Sequence, residues 1–226
     1  MLGAQAPTRT SGFRGPRIVY TAIGMFGVMC AASLVLSGFG EQGVRLAIRA
    51  TARTTAAVFV VVFCASSVRR RWPSPLTHWG MRNRRYLGLS AAVSHGYHLC
   101  FILSLYAMGV GDDTSLVTVI GGGWGFVLLF AMAATSNDAS QKKLGKNWRQ
   151  LHLLGLWTVW IIFAVTYFPA APTDPIAAAA SLALVAALLL RVWPAFLLRP
   201  AWWARRDPSS RSLQPEGLPK GRAARG

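Results

Sequence analysis

Four histidines are the residues of this chain best suited to chemistry. His95 and His98 lie three residues apart within one long uncharged stretch, and His152 lies near the start of another. Residues three apart share one face of an α-helix, so either His95 or His98 can point into a helical bundle. A neutral imidazole from each of two helices can bind the iron of a b-type heme that an apolar bundle buries. The alternative is a buried histidine that hydrogen-bonds to a neighbouring helix.

Other kinds of site lack the residues they need. No Asp or Glu lies within the long apolar stretches, which argues against a carboxylate-based proton relay or cation pathway. The sequence has no HExxH, GxSxG or GxxxxGK[ST] motif, so it shows no protease, hydrolase or P-loop signature. Cys30, Cys64 and Cys100 lie in three different apolar stretches without a CxxC pair, so they are expected to be small buried hydrophobes. His78 falls in the basic segment 73–85 and is expected to be an interfacial loop residue.

The elements that must position the histidines are apolar spans. Hydrophobic residues make up 53% of the 226 residues and charged residues only 14%, against roughly 25% charged in a soluble domain. A bilayer core takes about 20 helical residues, and the stretches do not alternate as β-barrel strands do. The sequence therefore predicts an all-α, polytopic transmembrane bundle of about six helices. The candidate spans are residues 18–40, 54–68, 86–111, 114–137, 150–173 and 176–198, the last interrupted by Arg191.

Two spans need comment because of their flanking charges. The stretch 54–68 is short, but Arg45, Arg49 and Arg53 precede it at a spacing of four. We expect them to extend the second helix on one face, with the side chains reaching toward the interface. The first span is longer than the apolar region of a signal peptide, so it is expected to stay as a transmembrane helix.

The distribution of positive charge predicts the orientation. Of 24 Lys and Arg residues, 20 fall in segments 1–17, 69–85, 138–149 and 199–226, which alternate with poorly basic loops. The positive-inside rule then places both termini in the cytoplasm. The predicted organisation is a basic cytoplasmic segment 1–17, a transmembrane domain 18–198 and a basic, disordered cytoplasmic tail 199–226. Because the net charge of +17 borders apolar spans, it favours contact with anionic membrane lipid and not with nucleic acid.

Two segments resemble a known family. The first is RRYLGL at 84–89, with His98 thirteen residues after Arg85. The second is TSN at 135–137 followed by QKKLGKNWRQLH at 141–152, which ends at His152. Together they resemble the ferric-reductase-like transmembrane domain family. Within it they are most similar to the heme-binding membrane subunit of the bacterial periplasmic protein-methionine-sulfoxide reductase system.

The resemblance implies a membrane electron carrier. Family members hold b-type heme between the third and fifth helices and pass electrons across the membrane from a quinol or flavin source. In the most similar branch the acceptor is a periplasmic molybdenum enzyme that repairs oxidised methionine, and the location is the bacterial plasma membrane. His98 and His152 match the ligand positions. Six residues match the family's motifs at the cytoplasmic edge: Arg84, Arg85, Lys143, Gly145, Lys146 and Trp148. The resemblance implies that the basic ones among them pair with heme propionates or lipid phosphates.

The sequence departs from that branch at Val165, which stands where the branch has a further histidine. One heme is therefore expected, and a second is in doubt. Depth along the helices mildly favours His95 over His98 as the partner of His152, because both ligands of one iron must lie at similar depth. Without a nucleotide domain, electrons must come from a separate flavin reductase, FMN or the quinone pool. The alternatives are a heme-free membrane interaction or assembly subunit and, less favoured, a small transporter.

Overall fold

The computed structural model describes residues 14–110 and 116–192, and every regular element in these ranges is an α-helix. The all-α class predicted from the sequence is therefore confirmed. The helices in chain order are α1 (Pro16–Ser37), α2 (Glu41–Arg71), α3 (Pro75–Arg82), α4 (Arg84–Ala107), α5 (Leu116–Ala134), α6 (Asp138–Leu144), α7 (Lys146–Tyr167) and α8 (Pro175–Val192).

Most of these helices can cross a bilayer. In the described ranges, α1, α2, α4, α7 and α8 are long and apolar enough to span it, and α5 with α6 makes a sixth candidate, bent by 106° between the two helices. Large apolar side chains cover the outside of the bundle, as Val28 (71% exposed) and Leu182 (72% exposed) illustrate. An apolar exterior of this kind suits lipid and not water. The chain is thus a multi-pass membrane protein, with about six spans as predicted.

The centre of the bundle is α2. It packs against α1 and α4 on one side and α8 on another, while α7 packs against α5 and α8. The buried core joins α2, α7 and α8 through Phe59, Phe63, Val159, Phe163 and Leu184. The 31 residues of α2 extend about 46 Å, well beyond the roughly 30 Å of a hydrocarbon core. The predicted extension of this helix across Arg45, Arg49 and Arg53 is confirmed.

The described parts of the basic segments, residues 14–17, 69–85 and 138–149, gather at one end of the bundle. The backbone N–H of Gly15, just before α1, donates to Oδ1 of Asn83, just before α4, at 3.0 Å. Arg85 at the start of α4 pairs with Asp138 at the start of α6. We call this the basic end; at the opposite end Arg53 pairs with Asp174 at 2.8 Å. The predictions for residues 1–13 and 193–226, including the disordered tail, lie outside the described residues.

Two short helices at the basic end, α3 and α6, were not predicted. His78 lies in α3 and not in a loop, so that expectation was wrong. Ser74 and Thr77 cap α3 reciprocally, because each side-chain oxygen accepts the other residue's backbone N–H. Gly145 separates α6 from α7 with φ +50°, a conformation that glycine adopts without the strain a β-carbon brings.

Candidate functional site

A cavity of about 480 Å³ lies near the basic end of the bundle. Its volume falls within the roughly 300–1,000 Å³ of typical small-molecule and cofactor sites. Five membrane-spanning helices contribute to its walls, with Phe59 from α2, Gly88 from α4, Leu129 from α5 and Leu156 from α7 among the apolar side. Its polar lining is strongly basic, because it holds one histidine and four arginines: His152, Arg84, Arg85, Arg149 and Arg191.

His152 is held in this cavity by its neighbours on α7 and α5. Its ring lies 4.1 Å from the ring of Trp148, one turn earlier on α7. The indole N–H of Trp148 donates to the backbone carbonyl of Thr135 at 2.9 Å, which ties the start of α7 to the end of α5. Nε2 of His152 lies 3.4 Å from the hydroxyl of Thr135, a long and therefore weak contact. The imidazole is thus positioned without a strong competing partner, as a ligand requires.

Two of the arginines are anchored on consecutive carbonyls of α2. Nε of Arg84 donates to the carbonyl of Val62 at 3.2 Å, and Nη1 of Arg191 donates to the carbonyl of Phe63 at 3.1 Å. The Arg191 guanidinium also lies 4.6 Å from the ring centre of Phe63, a cation–π contact. Both side chains are half-buried and close enough to repel one another.

The other two arginines lie at the mouth of the cavity. Arg85 hydrogen-bonds to Asp138, and this bond together with the positive charge holds the pKa of the Asp138 carboxyl below its usual range. Arg149 is exposed on the first turn of α7. The predicted site residues Arg85 and Trp148 therefore line the same cavity as His152, whereas Lys143 is exposed on α6 and does not line it.

His98 lies in a separate polar cluster between α4 and α2. Its Nδ1 is 3.0 Å from the carbonyl of Ile48 and 3.1 Å from the hydroxyl of Thr51. A carbonyl can only accept, so Nδ1 carries the proton and Nε2 keeps a free lone pair. This is the orientation that metal-ligating histidines usually show.

His95 stacks on His98, with 4.9 Å between ring centres and 17° between the planes. Its ring is also 4.6 Å from that of Phe126 on α5 and 6.3 Å from that of Phe163 on α7. Its Nδ1 is buried and has no hydrogen-bond partner among the described residues. The structure therefore brings His95 and His98 together, in a region of the bundle that does not line the cavity.

The structure does not bring either α4 histidine to His152. Phe163, which lies beside His95, is 11 residues after His152, or about 16 Å further along α7. The rings of His95 and Phe163 are 6.3 Å apart. Even if this whole separation lay along the helix axis toward His152, His95 and His152 would still differ in depth by about 10 Å. His98 lies still further from the basic end, because α4 and α7 both start there. Iron–imidazole bonds of about 2 Å then exclude one iron shared by His152 with His95 or His98 in this arrangement.

Val165 adds to this difference from the family pattern. Its side chain is 70% exposed on the outside of the bundle. A residue at position 165 therefore does not point into the bundle, where it could act as a second ligand together with His98. The cavity has a basic lining that includes His152, and His98 does not line it. Across the described residues, no group of three or more His, Cys, Asp or Glu side chains comes together.

The sequence reasoning missed Arg191 as a site residue. It lies on α8, 39 residues after His152, and no motif links the two. The one signal was a positive charge inside an apolar span, which is costly and so usually has a role. Met132 also lines the cavity, where its sulfur packs against Gly155 of α7, and an apolar residue in an apolar span gives no such signal.

Comparison of the chain with models of known protein families, with curated proteins and with solved structures found no match. The resemblance to the ferric-reductase-like family therefore rests on the two sequence segments and remains a prediction.

Proposed function

We propose that this protein is a membrane electron carrier that would hold one b-type heme in the basic cavity, with His152 as a ligand of its iron. The observation that carries the proposal is that His152 faces a cavity of about 480 Å³ inside a lipid-exposed helical bundle. Apolar side chains from α2, α5 and α7 would cover the porphyrin faces, and arginines at the basic end would meet its carboxylates. When bound, the heme supplies one-electron oxidation and reduction at its iron.

The residues of the chain have separate tasks in this proposal. His152 supplies a neutral imidazole, and Trp148 and Thr135 limit the rotation of its ring. Apolar packing around the cavity would limit the access of water to the ligand and would favour the less charged redox state of a bound heme. His98, with its free Nε2, is a candidate ligand of a second and separate group and not of the same iron.

The direction of electron flow follows from the resemblance and from charge. With the basic end on the cytoplasmic side of a bacterial inner membrane, a heme in the cavity would accept electrons from the quinone pool or from a cytoplasmic flavin reductase. The acceptor would be an oxidoreductase partner on the periplasmic side, with methionine-sulfoxide reductase as the specific expectation. FMN is the alternative occupant, because its phosphate would also suit the arginines.

Visible spectra of the detergent-purified protein, oxidised and dithionite-reduced, test the proposal. We expect a heme Soret band that shifts on reduction in the wild type, and this band should be lost in His152→Ala. His98→Ala and His95→Ala should retain it, and His78→Ala on α3 is the matched control. Heme content from the extracted porphyrin should follow the same order.

Three outcomes would count against the proposal. A folded wild type that stays colourless when expressed with heme available favours the heme-free assembly subunit. A flavin spectrum in place of a heme spectrum favours FMN. Loss of the band in His98→Ala with retention in His152→Ala would move the heme to the α4 cluster.

A further inference from the structure

The basic cavity contains positive charge that the described protein does not neutralise. The described ranges hold three acidic residues, and each is already paired with an arginine outside the Arg84–Arg191 pair. These ion pairs are Glu41–Arg45, Asp174–Arg53 and Asp138–Arg85. Arg84 and Arg191 therefore have no carboxylate partner among residues 14–110 and 116–192.

This arrangement is costly without a ligand. Charges removed from water need a partner, and two like charges in a low-dielectric region raise the cost further. Their present partners are the carbonyls of Val62 and Phe63, which carry partial charge only. Because those carbonyls belong to consecutive residues, the two guanidinium groups are held side by side at one wall of the cavity.

The unused N–H groups of Arg84 and Arg191 suit a carboxylate or phosphate ligand. Each guanidinium has five N–H groups, and only one on each is used by the α2 carbonyls. The Arg191 guanidinium carbon lies over the Phe63 ring, 4.6 Å from its centre, and the hydrogen bond to the Phe63 carbonyl holds the group at a second point. A fixed guanidinium edge matches the two oxygens of a carboxylate or phosphate in a bidentate contact.

We propose that Arg84 and Arg191 form a clamp for one carboxylate or phosphate group of a ligand in the basic cavity. Two sources share this chemistry: a propionate of the cofactor and the phosphate of an anionic lipid. For the propionate, the inference rests on the proposed function. For the lipid, it stands without it.

The test compares wild type with Arg191→Gln and uses Arg49→Gln, an exposed arginine near the opposite end, as the matched control. Heme-depleted protein is titrated with hemin and with hemin dimethyl ester, whose propionates carry no charge. In parallel, each variant is purified from nanodiscs of phosphatidylcholine and phosphatidylglycerol, and bound lipid is measured by native mass spectrometry. Arg191→Lys, which keeps the charge and loses the planar edge, and a melting temperature for each variant separate ligand effects from misfolding.

A propionate in the clamp predicts hemin binding about tenfold weaker in Arg191→Gln, the loss expected for one charge-assisted hydrogen bond. Dimethyl ester binding should then be unchanged. A lipid in the clamp predicts that one phosphatidylglycerol is retained by wild type and Arg49→Gln and lost by Arg191→Gln. The proposal is overturned if neither hemin nor phosphatidylglycerol distinguishes Arg191→Gln from wild type. Failure of the wild type to bind hemin would sink the heme function alone, since the lipid measurement still decides the clamp.

Discussion

Single polar residues hold the ends of this bundle together, and Asp174 shows how. Its Oδ1 accepts the backbone N–H of Ile176 at 2.8 Å at the start of α8, and its Oδ2 accepts from Arg53 of α2 at 2.8 Å. Both contacts favour the charged carboxylate. The Ile176 hydrogen bond is the largest cause and the charge of Arg53 a further one, and they hold the pKa of Asp174 below the ordinary value of 3.8.

Acid should therefore loosen the link between α2 and α8. A carboxyl whose pKa is lower in the folded state stabilises the protein above its unfolded pKa and loses that effect as the pH falls through the folded pKa. We expect the melting temperature in detergent to decline from about pH 5 downward, and Asp174→Asn to flatten that decline.

Arg53→Gln is the informative companion variant. It leaves the Ile176 hydrogen bond in place, so it should flatten the decline only in part. An unchanged pH profile in Asp174→Asn would show that other carboxyl groups control the acid response.

Particular glycines allow neighbouring helices to approach one another closely. Gly43, in the first turn of α2, is buried, and a β-carbon there would collide with the backbone carbonyl of Gly38 at the end of α1. Backbone atoms cannot rotate away as a side chain can. Gly96 of α4 has nothing within 4 Å of the same position, although it is also helical.

These two glycines should respond oppositely to the same change. We expect Gly43→Ala to destabilise the α1–α2 turn by about 2 kcal/mol, as overpacking does. Gly96→Ala should be neutral or stabilising by up to about 1 kcal/mol, from helix propensity alone. Thermal or denaturant unfolding in a constant detergent measures both. Equal effects would mean that the α1–α2 turn relaxes freely.

The long helices were predictable from the sequence because hydropathy defines them. The short helices were not, because they depend on local capping. The spans around α1, α4 and α7 follow from long uncharged runs, and the extension of α2 follows from arginines spaced by four. The short helices α3 and α6 depend on hydrogen bonds that the side chains of Ser74 and Asn137 accept from backbone N–H groups. These segments are too polar and too short for a periodic pattern.

The site was predictable where its residues are close in sequence. Arg85, Trp148 and His152 come from two contiguous segments, and the structure places all three at one cavity. The pairing of His98 with His152 depends on the relative depth of α4 and α7, which apolar runs define only to within a few residues. Arg191 joins the site only through the packing of α8 against α2, which no local pattern reveals.

At the scale of the whole molecule, the described basic segments lie at one end of the bundle, so the positive-inside rule predicts one orientation in the membrane. Because that end carries Arg84, Arg85 and the lysines of α6, the positive-inside rule places it and the cavity in the cytoplasm. The opposite end, with Gln42 at the start of α2, should face outward. The two exposed positions Gln42 and Lys143 mark the two ends.

Labelling of introduced cysteines decides this orientation. In a background with Cys30, Cys64 and Cys100 changed to Ala, a membrane-impermeant maleimide is added to spheroplasts that express Gln42→Cys or Lys143→Cys. We expect Gln42→Cys to react at once and Lys143→Cys to react only after permeabilisation, which also serves as the control for reactivity. The reverse pattern would place the basic cavity outside the cell, so that a cytoplasmic donor could not reach it. Reaction of both variants in intact spheroplasts would mean that the chain inserts in two orientations, against the strong bias of its charges.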